Sequence, residues 1–129
     1  MTNERPLKGL RALIVEDEYF IADDLKRLLT RHGADLVKLS GSVSDALDQI
    51  QKDGFDFALI DINIRGEMAF TIADHLLEEG VPFAFVSGYE RSAIPTRFNV
   101  VPNWGKPYMD HVVITGIQAL WGRPVNIQV

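Results

Sequence analysis

Two kinds of apolar run alternate along this chain. Leu10 to Val15 (LRALIV) is short and nearly continuous, the pattern of a strand buried on both faces, and it stops at three acids, Glu16, Asp17 and Glu18. Ile21, Leu25, Leu28 and Leu29 then recur at helical spacing, which predicts a helix that Gly33 terminates. Val37 and Leu39 alternate with Leu36, Lys38 and Ser40 in a weaker, edge-like strand, and Val43, Ala46, Leu47 and Ile50 predict a helix from about Ser42 or Ser44 to Gly54. Phe57 to Ile60 (FALI) is a third strand, closing on Asp61, and Ala69, Ile72, Ala73 and Leu76 mark the helix after it, stopped at Gly80. Pro82 to Val86 predicts a fourth strand and Val100 with Val101 a short fifth. Pro107 is expected to open a last helix with Val113, Ile117, Leu120 and Trp121 inward. Between the last two strands Pro95 interrupts the chain, so any helix there is expected to be short or irregular. Five strands alternating with helices predict an α/β fold, a five-stranded parallel sheet flanked by helices on both faces.

Composition narrows the class. Of 129 residues, 47% are hydrophobic and 24% charged, which excludes disorder and collagen-like repeats and fits one globular domain. The core is expected over about residues 9–121, with a short tail at 122–129. A net charge of −5 argues against a surface built for nucleic acid, so no direct DNA binding is expected. No apolar run approaches the roughly 18 residues of a membrane span, and Met1 to Gly9 lacks the apolar stretch of a signal peptide, so no membrane attachment is expected and the cytoplasm is the expected compartment. With no cysteine, any chemistry must use carboxylates, hydroxyls, lysine or histidine. His32, His75 and His111 show no metal-ligand spacing.

In a parallel sheet, ligands sit beyond the carboxyl ends of the strands. Those ends carry Glu16 and Asp17, Asp61, Ser87 and Lys106. Three carboxylates gathered in one pocket repel each other unless cations compensate, and a divalent ion with Lys106 would balance Glu16, Asp17 and Asp61. Oxygen-only ligands favour a hard cation, Mg²⁺ or Mn²⁺. Such a pocket suits phosphoryl transfer onto a carboxylate: cations neutralise the transferring oxygens, the Ser87 hydroxyl binds another, and Asp61, rigidly placed after a central strand, is the candidate nucleophile.

The strings LIVEDE (Leu13 to Glu18), LIDIN (Leu59 to Asn63), VSG (Val86 to Gly88) and Lys106-Pro107 together resemble the receiver domain of two-component response regulators over nearly the whole chain. The resemblance implies the flavodoxin-like strand order 2-1-3-4-5, Asp61 as phospho-acceptor, Asp17 with Glu16 as the acidic pair at Mg²⁺, and the Asn63 backbone carbonyl as a further ligand. It also implies Ser87 as switch hydroxyl, Lys106 as the lysine that meets the phosphoryl group, and a cis Lys106-Pro107 bond. The expected function is a bacterial phosphorylation-operated switch of the stand-alone, single-domain type, a phospho-acceptor and not a true enzyme. It would be served by a sensor histidine kinase or histidine phosphotransfer protein and act on a downstream protein target, with a homodimer left open. Phe85 to Tyr89 is similar to a stand-alone receiver subgroup common in alphaproteobacteria.

Departures from the family pattern carry information. Arg65 and Gly66 stand where a proline usually follows the acceptor, so the loop there is expected to differ in shape. Asn103 occupies the place of the usual switch aromatic. Trp104 is adjacent, but an offset of one residue in a strand turns it to the other face. Two alternatives remain: a pseudo-receiver that binds partners without phosphorylation, against which the complete acid, hydroxyl and lysine set argues, and an aspartate-nucleophile Mg²⁺ phosphatase, which needs an acid where Asn63 stands. A flavin-binding fold is disfavoured by the acids crowding the phosphate position.

Overall fold

The computed structural model describes residues 5–89 and 91–122; residues 123–129 of the expected tail and the first residues of the Met1 to Gly9 stretch lie outside them. Strands β1 (Arg11–Val15), β2 (Leu36–Ser40), β3 (Phe57–Ile60) and β6 (Phe83–Phe85) form one parallel sheet in the order β2-β1-β3-β6. Helices α1 (Tyr19–Arg31) and α4 (Asp110–Leu120) cover one face, and α2 (Val43–Lys52) and α3 (Phe70–Glu79) the other. The period-2 rule divides β1 between them: Leu13 and Val15 join the α2–α3 core, Ala12 and Ile14 the α1–α4 core. Ser42 caps α2, its hydroxyl accepting the Asp45 amide at 3.1 Å. Glycines with positive φ follow α1 and α3, Gly33 (105°) and Gly80 (70°). Among the described residues no helix is long and apolar enough to cross a membrane.

The fifth strand is reduced to a single parallel bridge between Phe85 and Asn103. Val100 and Val101, expected to form it, lie in a turn and the bend after it, Val100 84% exposed and Val101 buried. Pro102 explains this, because it has no amide to donate to a ladder: its carbonyl accepts from Phe85 N–H (2.9 Å), and the return bond comes from Trp104 N–H to Phe85 O (2.8 Å). The last helix begins at Asp110, not Pro107. Met109 stays extended as its N-cap residue, Tyr108 is drawn to α1 by a hydrogen bond to Asp24, and Asp110 supplies the negative charge that suits a first turn. Its buried stripe runs through Val113, Ile114 and Ile117 toward Trp121, which leaves Leu120 at the stripe's edge and exposed, contrary to expectation. The interrupted segment before the bridge holds two short 3₁₀ turns, Arg91–Ala93 and Thr96–Phe98, on either side of Pro95.

Trp104 packs on the α1–α4 side, its ring parallel to Phe57 (centroids 6.5 Å apart) and seated over Gly116. A Cβ at Gly116 would lie 2.1 Å from Trp104 Cζ2. Gly116→Ala is therefore expected to displace the indole and destabilise the fold by ~1–3 kcal/mol despite alanine's better helix propensity. Thermal unfolding with Trp fluorescence checks this, and an alanine variant melting at or above the parent temperature would contradict it.

Candidate functional site

The sheet's hydrogen bonds run past the strand ends and set the site residues side by side. Glu16 N–H donates to Ser40 O and Asp61 N–H to Val15 O, each at 2.9 Å; Val86 N–H donates to Ile60 O (2.9 Å) and Lys106 N–H to Ser87 O (3.2 Å). Glu16, Asp61 and Ser87 are buried there, with Asp17 partly exposed at the rim. One carboxylate oxygen from each of Glu16, Asp17 and Asp61 lies within 4.8 Å of the others. Lys106 Nζ bridges two of them, 2.7 Å from Glu16 Oε1 and 2.9 Å from Asp61 Oδ2.

Burial dominates the electrostatics. It pushes the Glu16 carboxyl up to about 7, against hydrogen bonds from Lys106 and the Glu18 amide, with the Asp61 charge adding to the rise. Burial also works against the Lys106 ammonium, yet its hydrogen bonds to Glu16 and Asp61 carry its pKa above the ordinary lysine value. With Lys106 charged, three ionised carboxylates would leave a net −2, and the donor set is all oxygen. The residues present fit a divalent hard cation.

Ser87 is fully buried, and its Oγ accepts the Tyr89 amide at 2.9 Å. Asn63 does not turn its side chain into the acid cluster. Its Oδ1 accepts Gly66 N–H (2.8 Å) and its Nδ2 donates to the Tyr89 hydroxyl (3.1 Å), so only its backbone carbonyl is open to the role of ligand. The Lys106-Pro107 bond is cis.

The loop after Asp61 is a β-hairpin, β4 (Asn63–Ile64) with β5 (Glu67–Met68). Arg65 (φ 54°) and Gly66 (φ 83°) both take positive φ at the tight turn, the arrangement that matches hairpin twist. Arg65 N–H donates to Asp17 Oδ2 at 2.8 Å, tying the hairpin to the acid pair. That tie and the Tyr89–Asn63 bond were not foreseen from sequence. Gly66 alone signals the turn, and nothing in the string marks Tyr89 as a partner of Asn63. Beside the acids opens a cleft lined by Phe20, Ile21, Asp24, Lys106, Pro107 and Tyr108; Phe20 is 85% exposed and its ring neighbour Tyr19 66%.

Residues 12–99 match the response regulator receiver domain family. The sensory transduction protein LytT of Bacillus anthracis is 32% identical over 88 residues, which cover 66% of this chain and 36% of LytT. The chain thus spans about a third of the length of the curated relatives it matches. Among solved structures, SdrG from Sphingomonas melonis Fr1 is similar with a TM-score of 0.76 and 31% identity, over 86% of this chain and 95% of that one. The PhyR response regulator REC domain of Erythrobacter litoralis is similar with a TM-score of 0.79 and 25% identity, over 95% and 98%.

Proposed function

Because this chain belongs to the response regulator receiver domain family, we propose that it is a switch operated by Mg²⁺-dependent phosphorylation of Asp61. The carrying observation is Lys106 Nζ, fixed between Asp61 Oδ2 and Glu16 Oε1 and supported by two buried carboxylates. It is a cation placed where a phosphoryl group on Asp61 would put its oxygens. The donor is a histidine kinase or histidine phosphotransfer protein. A carboxylate oxygen of Asp61 forms a bond to phosphorus as the bond from the donor imidazole nitrogen breaks, its electron pair returning to the ring. Lys106 moves its hydrogen bonds onto the arriving oxygens, and Ser87 donates its hydroxyl proton to another. Glu16, Asp17, Asp61 and the Asn63 carbonyl would hold Mg²⁺, or Mn²⁺, which when bound supplies charge neutralisation for the same oxygens. The exposed aromatic pair Tyr19 and Phe20 beside the cleft offers the donor protein an apolar landing surface. Output passes by protein contact or onward phosphotransfer.

Intact mass after exposure to acetyl phosphate with Mg²⁺ tests this reading. One phosphoryl group is expected, removed by hydroxylamine because an acyl phosphate is, absent with chelator and absent in Asp61→Asn. Equal labelling of Asp61→Asn, or an adduct resistant to hydroxylamine, refutes it.

A further inference from the structure

Tyr89 is held at three atoms by three different parts of the site. Its amide donates to Ser87 Oγ (2.9 Å), its carbonyl accepts from Asn103 Nδ2 (2.8 Å), and its hydroxyl accepts from Asn63 Nδ2 (3.1 Å). Its ring packs, partly buried, on the α2–α3 core. A hydroxyl has one proton to donate and two lone pairs to accept with. Ser87 can therefore donate to an oxygen carried by Asp61 while still accepting the Tyr89 amide, so a shift of Ser87 toward Asp61 takes Tyr89 with it. Trp104 is unsuited to follow such a shift, being locked between Phe57 and Gly116 on the opposite face.

The far side of Tyr89 is prepared for movement. Asn103 Oδ1 is buried with no hydrogen-bond partner among the described residues, an unmet acceptor whose cost a rearranged segment can relieve. The segment beyond, residues 91–101, has two 3₁₀ turns and no long helix, so its opening is cheap. It is nonetheless braced as a unit. The Arg91 guanidinium donates to Phe98 O (3.1 Å) and Val101 O (2.6 Å), and Arg97 grips Asp74 of α3 through two bonds (2.8 and 3.0 Å). Arg91 is two residues from Tyr89, so a shift of the Tyr89 backbone meets this brace directly.

We propose that Tyr89 is the positioning residue that carries phosphorylation of Asp61 to residues 91–101, drawn at its amide by Ser87 and read out through Asn103 and Asn63. This rests on Asp61 being the phospho-acceptor. Hydrogen exchange of residues 91–105, with and without beryllofluoride and Mg²⁺, tests it in the parent, Tyr89→Phe and Asn103→Ala, with intact mass after acetyl phosphate measured in parallel. All three proteins are expected to take the phosphoryl group. The parent's exchange response in the segment, on the order of 10-fold, is expected to fall to about 2-fold or less in Asn103→Ala and to an intermediate value in Tyr89→Phe. Asn103→Asp, of the same shape but unable to donate, takes the place of alanine if that variant does not fold. Phosphorylated variants that keep the full parent response overturn the proposal. A parent that takes no phosphoryl group at all is a different failure, visible in the mass alone, and it removes the functional reading together with this one.

Discussion

Lys106→Ala is expected to slow phosphorylation of Asp61 by acetyl phosphate ~10²–10³-fold, the usual consequence of removing one fixed group that stabilises developing charge in a desolvated site. The ammonium sits 2.9 Å from Asp61 Oδ2 and 2.7 Å from Glu16 Oε1, and no other Lys or Arg makes an ion pair with these acids among the described residues. Metal affinity should not follow the rate. With the ammonium gone, the three carboxylates repel each other unrelieved, and a divalent cation at them is favoured at least as much as before. Asp17→Asn makes the contrast: it removes a charge from the cation's ligand set while the side-chain oxygen can still accept the Arg65 amide and keep the hairpin in place. Mg²⁺ titration of both variants, followed by Trp fluorescence, should show affinity lost in Asp17→Asn and retained in Lys106→Ala, with Glu16→Gln between them. A Lys106 variant that loses metal as severely as Asp17→Asn would show that the lysine organises the acids and does not serve the phosphoryl group.

How far the sequence could be read follows from the range of the interactions involved. Short apolar runs ending in acids located β1 and β3 and, with them, Glu16, Asp17 and Asp61, because a doubly covered parallel strand needs a continuous apolar string and its end is a place in the fold. The one-residue offset of Trp104 was legible for the same reason: alternation across a strand puts Asn103 on the Tyr89 side and Trp104 against Phe57. The fifth strand failed because its two valines mimic a strand, whereas Pro102 decides where the ladder can form. Leu120 failed because the buried face takes in Ile114 and runs on to Trp121, which turns Leu120 to its edge. The hydrogen bonds of Tyr89 and Arg65 join residues 26 and 48 positions apart, through a hydroxyl and a backbone amide that no local pattern distinguishes.

Stability of the metal-free protein should fall as pH rises from about 5 to 8, and Glu16 sets the slope. Its carboxyl titrates near 4.5 when unfolded and is pushed up to about 7 in the fold, chiefly by burial. Between those values the folded state binds the proton that the unfolded state has lost, so the contribution is fully present below about 4.5 and is lost as pH passes 7. A shift of this size corresponds to about 3 kcal/mol, a Tm change on the order of 10 °C for a domain of this length. Glu16→Gln keeps the shape and an acceptor for Lys106 but cannot ionise. In chelator its Tm should match the parent near pH 5 and exceed it increasingly toward pH 8. Mg²⁺ should reverse the order, because a bound cation favours the ionised carboxylate and stabilises the parent by mass action while flattening its pH dependence. Thermal melts of both proteins at pH 5, 6.5 and 8, each with chelator and with Mg²⁺, decide the matter. A Gln variant that is less stable than the parent at pH 8 without metal would mean that the Lys106 ion pair outweighs burial at Glu16, and that the acid pair is held ionised before any cation arrives.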